Sequence, residues 1–411
     1  MNIHFNKYKE VPGGICVVDG FTAAGIHCGI RKNKSKKDLA LIYSDKPCVT
    51  AAVYTQNKVK GAPIAVNKRH LVDGISQAII CNSGNANTCN ADGEEKAEQM
   101  AQITGKALGL KPEDVIVCST GVIGLVLPIE PIADHIDEIA AKLSKDGNTD
   151  AANAIMTTDT IEKEVSIEFE LGGKPCHIGG MAKGSGMIHP NMATMLSFLS
   201  TDVNIDQKLL KKALKFVVDH TFNMISIDGD TSTNDTVTLM SNCTAGNELI
   251  EQEDESYNTF TSALYVVMEK LCKMLAKDGE GATKLIECEV LNAKTEKIAQ
   301  SVAKAVITSS LFKAAVFGAD ANWGRILCAI GYAEGDFDID KVSVRIASKT
   351  KDTLVCKNGM GVDFSEEKAQ FILFGDEIKI VVDMHDGEYS ATAWGCDLTY
   401  DYVKINGEYR T

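Results

Sequence analysis

What the chain lacks excludes several classes at once. No stretch approaches the roughly 18 uninterrupted apolar residues of a membrane span. The segment Met1 to Lys7 has no apolar core of a secretory signal. The net charge is −14, and the only dense basic stretch, Arg31 to Lys37, reads as a solvated loop. A nucleic-acid binder needs a basic patch to neutralise phosphates. The expectation is a cytoplasmic protein that handles small molecules. None of the 13 cysteines is spaced as C-x-x-C, so a metal site lacks its usual paired ligands. Cys118 and Cys328 stand in apolar runs and, like most of the others, read as buried, reduced thiols. The phosphate-loop pattern is missing, because Lys183 follows Ala182 and precedes Gly184. The polar run Asp228 to Thr236 lacks the ligand order of a calcium loop. There is no internal repeat, low-complexity segment or proline-rich linker, and the histidines show no triad pattern.

What remains is an ordinary globular composition in 411 residues, long enough for two to four domains of roughly 100–200 residues. Ala78 to Cys81 and Val115 to Cys118 read as buried strands, and Glu164 to Glu170 alternates as a half-buried one. Helices are predicted at 94–108, 132–143, 206–222, 260–275 and 296–307. Asn204 and Gln207 suggest a variant capping box for the third. Past about residue 290 strands are favoured, at 342–346, 378–382 and 399–405. The chain divides as 1–200, 201–288 and 289–411. Mixed elements in irregular order argue against a doubly wound parallel sheet. The expectation is α/β (α+β).

The most informative stretch is Gly179 to Leu199. Four glycines and Lys183 precede Met192-Ala193-Thr194-Met195-Leu196. Glycine lets the backbone approach a ligand closely. An isolated threonine among apolar residues is ordinarily a packed strand residue, and it becomes a nucleophile only beside a base. If the Ala193–Thr194 peptide breaks, Thr194 gains an α-amine on its own residue. Such an amine titrates at about 7.7–8.0, so part of it is neutral and able to take the hydroxyl proton. His189 is near in sequence, with turn or core packing as its alternative role. Acyl chemistry also needs oxyanion donors. The strand ending in Ser119-Thr120-Gly121 offers a hydroxyl and a backbone N–H, or is a plain strand-to-loop turn.

The chain resembles the ornithine acetyltransferase (glutamate N-acetyltransferase) family of arginine biosynthesis almost end to end. The matching stretches are Gly20 to Gly25, Asn82 to Asn87, Ser119 to Gly124, Met156 to Thr160, Lys183 to Leu196, Asp228 to Thr236, Gly318 to Ile326 and Asn406 to Thr411. The resemblance implies a layered sandwich of mixed sheets and helices with a smaller C-terminal α/β domain. It implies self-cleavage between Ala193 and Thr194, giving chains 1–193 and 194–411 that stay together as an α2β2 heterotetramer. Thr194 becomes the nucleophile, and Thr120 and Gly121 the oxyanion hole. Lys183, Thr157 (or Thr158), Glu280, Asn406 and Thr411 bind substrate. Glu280 meets an amine, and Asn406 and Thr411 close the site. The implied reaction moves acetyl from N2-acetyl-L-ornithine to L-glutamate, with no resident cofactor or metal. Acetyl-CoA stands as an alternative donor. The Asp228 to Thr236 loop is expected to pack near the new Thr194 terminus. Two competing readings are a hydrolase or aminopeptidase, in which water takes the acyl group, and an uncleaved binding protein.

Overall fold

The computed structural model describes residues 5–189 and 195–408. Ala193, Thr194 and Thr411 lie outside the described residues. The fold is mixed α/β, with two sheets. Among the described residues the first has nine strands and the second seven.

Burial on both faces explains the apolar runs of the first sheet. In strand Ile75–Asn85, Ile79 and Cys81 enter one core cluster, while Ala78 and Ile80 enter another. The neighbouring parallel strand Val115–Val122 divides in the same way, Ile116 and Cys118 against Val115 and Val117. Successive side chains of a strand face opposite ways, so a strand covered on both sides reads as a continuous run. Helices Gly93–Leu108 and Glu130–Ala141 supply one cover through Met100 and Ile132. Helix Asn148–Ile155 supplies the other through Ala151 and Ile155.

Strands Lys163–Leu171, Lys174–Lys183 and Leu196–Thr201 run antiparallel in succession, and Leu196–Thr201 then pairs in parallel with Thr236–Ser241. Helix Glu255–Lys277 packs between the first two of these and strands Leu285–Ala293 and Tyr389–Cys396 of the second sheet. Of its apolar stripe, Phe260, Leu264, Val267, Met268, Leu271 and Leu275 are fully buried and Met274 is half-buried.

Three local expectations are corrected. Residues 399–405 form no strand: Tyr400–Gly407 is a helix, and the Thr399 hydroxyl accepts the Tyr402 N–H as its N-cap. Aromatic and β-branched residues there imitate a strand, but the cap satisfies an otherwise orphaned donor. Helix Gln207–His220 is capped by Asp206, whose carboxylate accepts from Lys208 and Leu209, while Asn204 is tied to Asn247 instead. Cys328 is exposed. It lies on helix Trp323–Gly331, where Ile326, Ala329 and Ile330 share the buried face and position 328 turns outward.

Candidate active site

Strand ends, bends and the last helix converge on one pocket of about 300 Å³. Thr120, Gly121, Thr157, Thr158, Lys183, Glu280 and Asn406 all line it, although they come from five separate parts of the chain. The structure thus brings together every sequence-predicted site residue that it describes. Ser232, Thr233 and Asn234 complete one wall.

Thr120 and Gly121 lie near the end of strand Val115–Val122, at one edge of the first sheet, opposite Ser83 and Gly84 of its parallel neighbour. Gly121 has φ +134°, and a Cβ there would overlap the Gly84 carbonyl carbon. Only glycine fits. The close backbone approach therefore fixes where the Gly121 N–H lies relative to the Thr120 side chain. Asn234 holds the same strand end, donating to the carbonyls of Ser119 (2.9 Å) and Ala86 (2.6 Å).

Lys183 ends strand Lys174–Lys183 and is 8% exposed. Its register partner is Leu196, the second residue after Thr194. Burial pushes the Lys183 ammonium below its ordinary range; Asp159 opposes the shift and Lys163 adds to it. Burial pushes the Asp159 carboxyl up, but the ammoniums of Lys183 and Lys163 outweigh that and hold it below the usual carboxylate range. Asp159 also accepts the N–H of Thr157 at 2.9 Å and of Gly184 at 2.6 Å.

Glu280 follows the long helix Glu255–Lys277 and is 7% exposed. Its N–H donates to the Ser185 carbonyl at 2.8 Å, and its carboxylate accepts Asn406 Nδ2 at 2.7 Å. A side chain at Gly186 would collide with that carboxylate, so the glycine-rich segment is what admits the acid. The Asn406 bond is possible because residues 400–407 are helical, which brings Asn406 over the pocket.

The loop from Asp228 to Thr236 grips both described flanks of positions 190–194. On one side the Asp228 carboxylate accepts the N–H groups of Met187 (2.6 Å) and Ile188 (3.0 Å), and Thr231 donates to the His189 carbonyl at 2.7 Å. On the other side the Thr236 N–H donates to the Met195 carbonyl at 3.0 Å. His189 Nδ1 lies 3.1 Å from Ser226 Oγ. Burial, then the nearby Lys304 ammonium, pushes its imidazole down to about 4, which leaves it neutral near pH 7.

Sequence reasoning missed two groups here. One is Asp235, which is 2% exposed and whose carboxyl burial pushes well above its ordinary range. The other is the buried trio Asp159, Lys163 and Asp278. The i,i+4 spacing of Asp159 and Lys163 was the available signal, but it reads by default as a helix-surface pair. Among the described residues no group of three His, Cys, Asp or Glu side chains is placed to hold a metal. No described helix is long and apolar enough to cross a membrane.

Comparison with known proteins agrees along nearly the whole chain. A model of the ArgJ family matches residues 22–411. An arginine biosynthesis bifunctional protein ArgJ of Caldanaerobacter subterraneus subsp. tengcongensis is 52% identical over 400 residues, covering 97% of this chain and 99% of the relative. Arginine biosynthesis bifunctional protein ArgJ 1 of Clostridium acetobutylicum is 52% identical over 392 residues, with 95% and 96% covered. A crystal structure of arginine biosynthesis bifunctional protein argJ from Bacillus halodurans is 46% identical, with a TM-score of 0.50. It covers 52% of this chain and 99% of the solved chain.

Proposed function

Since the chain belongs to the ArgJ family, we propose that it transfers acetyl from N2-acetyl-L-ornithine to L-glutamate in arginine biosynthesis, through an acetyl ester on Thr194. The observation that carries this reading is the pocket itself, in which Thr120, Gly121, Thr157, Lys183, Glu280 and Asn406 meet.

Maturation comes first. Thr194 Oγ attacks the Ala193 carbonyl, and the acyl group shifts from nitrogen to oxygen. Water then hydrolyses that ester, leaving Ala193 as a carboxylate and Thr194 with a free α-amine. The length of the Bacillus halodurans chain supports a split protein, since it matches over nearly all of its own length yet covers about half of this one. The hold of Asp228 and Thr231 on Met187, Ile188 and His189 crosses between the two pieces and supports their staying together without denaturant.

Transfer follows in two displacements. The α-amine takes the Thr194 hydroxyl proton as Oγ adds to the acetyl carbonyl of the donor. The Thr120 hydroxyl and Gly121 N–H stabilise the tetrahedral oxyanion. The C–N bond breaks, ornithine leaves with the proton, and acetyl rests on Thr194. The amine of glutamate attacks the ester, loses its proton to the Thr194 oxygen and carries acetyl away. Glu280 pairs with a substrate amine, while Lys183 and Thr157 hold the carboxylate end that both amino acids share. Asn406 and Thr411 close the pocket. The reaction needs no resident cofactor. We place the protein in the cytoplasm as an α2β2 assembly.

Ornithine release from acetyl-ornithine should require glutamate and match N-acetylglutamate formation one for one. Release that ignores glutamate would mean that water is the acceptor, and would overturn the transferase reading. The relatives' name, bifunctional, supports a second donor at the same threonine. Acetyl-CoA with glutamate alone should yield N-acetylglutamate and free coenzyme A thiol, and no thiol release would confine the protein to acetyl recycling.

A further inference from the structure

Beneath the pocket lies a charged cluster to which no role has been given. Lys163 is fully buried at the start of strand Lys163–Leu171. Its ammonium donates to Asp159 at 2.7 Å and to Asp278 at 2.6 Å. We propose that Lys163 is a positioning residue for acyl transfer, clamping through these two aspartates the opposite walls of the pocket. The proposal rests on the reading of this pocket as the acetyl-transfer site.

Asp159 spends its remaining bonds on Thr157 of the pocket lining and on the residue after Lys183, and Asp278 spends its own on Thr160, two residues beyond the lining residue Thr158. Asp159 accepts the N–H of Thr157 on one wall and of Gly184, the residue after Lys183, on the other. Asp278 accepts the N–H of Thr160 at 3.1 Å and also the Thr160 hydroxyl. The Asp278 carbonyl accepts Ser185 Oγ at 2.7 Å, and the Ser185 carbonyl accepts the Glu280 N–H at 2.8 Å. A single ammonium therefore ties the Thr157 bend, the Lys183 strand end and the Glu280 turn into one unit.

Stability alone is a poor explanation for this cluster. Burying ions costs desolvation, and an apolar trio of similar volume often holds a fold as well or better. Polar groups with all their bonds made do fix one geometry. Without Lys163, two carboxylates that now share a cation would face each other, and one would have to take up a proton or move. Protonation weakens, and movement breaks, the bonds that hold the Thr157 and Thr160 amides in place. Lys183 would also lose a like-charged neighbour.

The test compares Lys163→Met, Lys163→Arg and Thr160→Val in the full-length protein, reading KM and kcat for both amino acids, melting temperature, and hydrogen exchange at the Thr157 and Gly184 amides. Lys163→Met should raise both KM values about tenfold, as loss of a charged hydrogen bond does, and speed exchange at both amides, with Lys163→Arg recovering part of each. Thr160 is exposed, so Thr160→Val sets its new methyl toward solvent while removing one donor from Asp278. It should give a smaller rise, about threefold, at an unchanged melting temperature. Wild-type KM and wild-type exchange in both Lys163→Met and Thr160→Val would overturn the clamp. If Lys163→Met yields no folded protein, Thr160→Val decides alone. A wild-type protein that moves no acetyl would instead refute the transferase reading, and amide exchange would still judge the clamp.

Discussion

Thr194→Ala is expected to give one uncut polypeptide with acetyl transfer reduced by on the order of 10⁶, the cost of deleting an acyl-transfer nucleophile. Both effects have one cause. The hydroxyl that would attack the Ala193 carbonyl is the one that would later attack the acetyl donor. Thr194→Ser should keep both reactions, because it keeps a hydroxyl beside an α-amine. The base can be separated from its nearest rival by pH. His189 is already neutral above about 4, so it adds no step near neutrality. A free α-amine gains basic form as pH rises through about 7.7–8.0, so kcat/KM should climb over that interval. A profile flat across it would assign the proton elsewhere.

Thr120→Val is expected to lower kcat by about 10²–10³ while KM stays within a few-fold, the behaviour of a lost oxyanion donor. This substitution keeps the shape of the side chain and removes only the hydroxyl. Gly121 offers no comparable experiment. Its donor is backbone, and any side chain at φ +134° would collide with Gly84, so a weak Gly121→Ala enzyme would report distortion as much as chemistry. A Thr120→Val protein with full turnover and raised KM would place that hydroxyl in substrate binding instead. Chain splitting in the same variant adds a second reading. The Ala193 carbonyl also becomes tetrahedral, so slowed cleavage would mean that one oxyanion hole serves both reactions.

The regular elements were legible where a single rule governed them. The stripe from Phe260 to Leu275 gave its helix by period, and the runs at 78–81 and 115–118 gave strands because two helical layers cover both faces. Residues 399–405 misled because Tyr400, Tyr402 and Val403 favour strands, while a single bond from Thr399 decides for helix. Cys328 misled because its apolar neighbours lie close in sequence but on another face of the turn. The pocket residues were legible through the family's motifs; without them Thr120 and Gly121 read equally as a plain strand-to-loop turn. The cluster of Lys163 with Asp159 and Asp278 was beyond reach. Asp278 joins it from 115 positions away, and nothing local in either segment marks the other as its partner.

The most direct test of the account is the intact mass and N-terminal sequence of the purified wild-type protein under denaturing conditions. The account requires two polypeptides, one of 193 residues and one holding the remaining 218 of the 411. The second should begin Thr194-Met195-Leu196 and become one acetyl group heavier, at Thr194, after exposure to acetyl-ornithine without glutamate. A single full-length chain that still transfers acetyl, or an acetyl group trapped on any other residue, would contradict it.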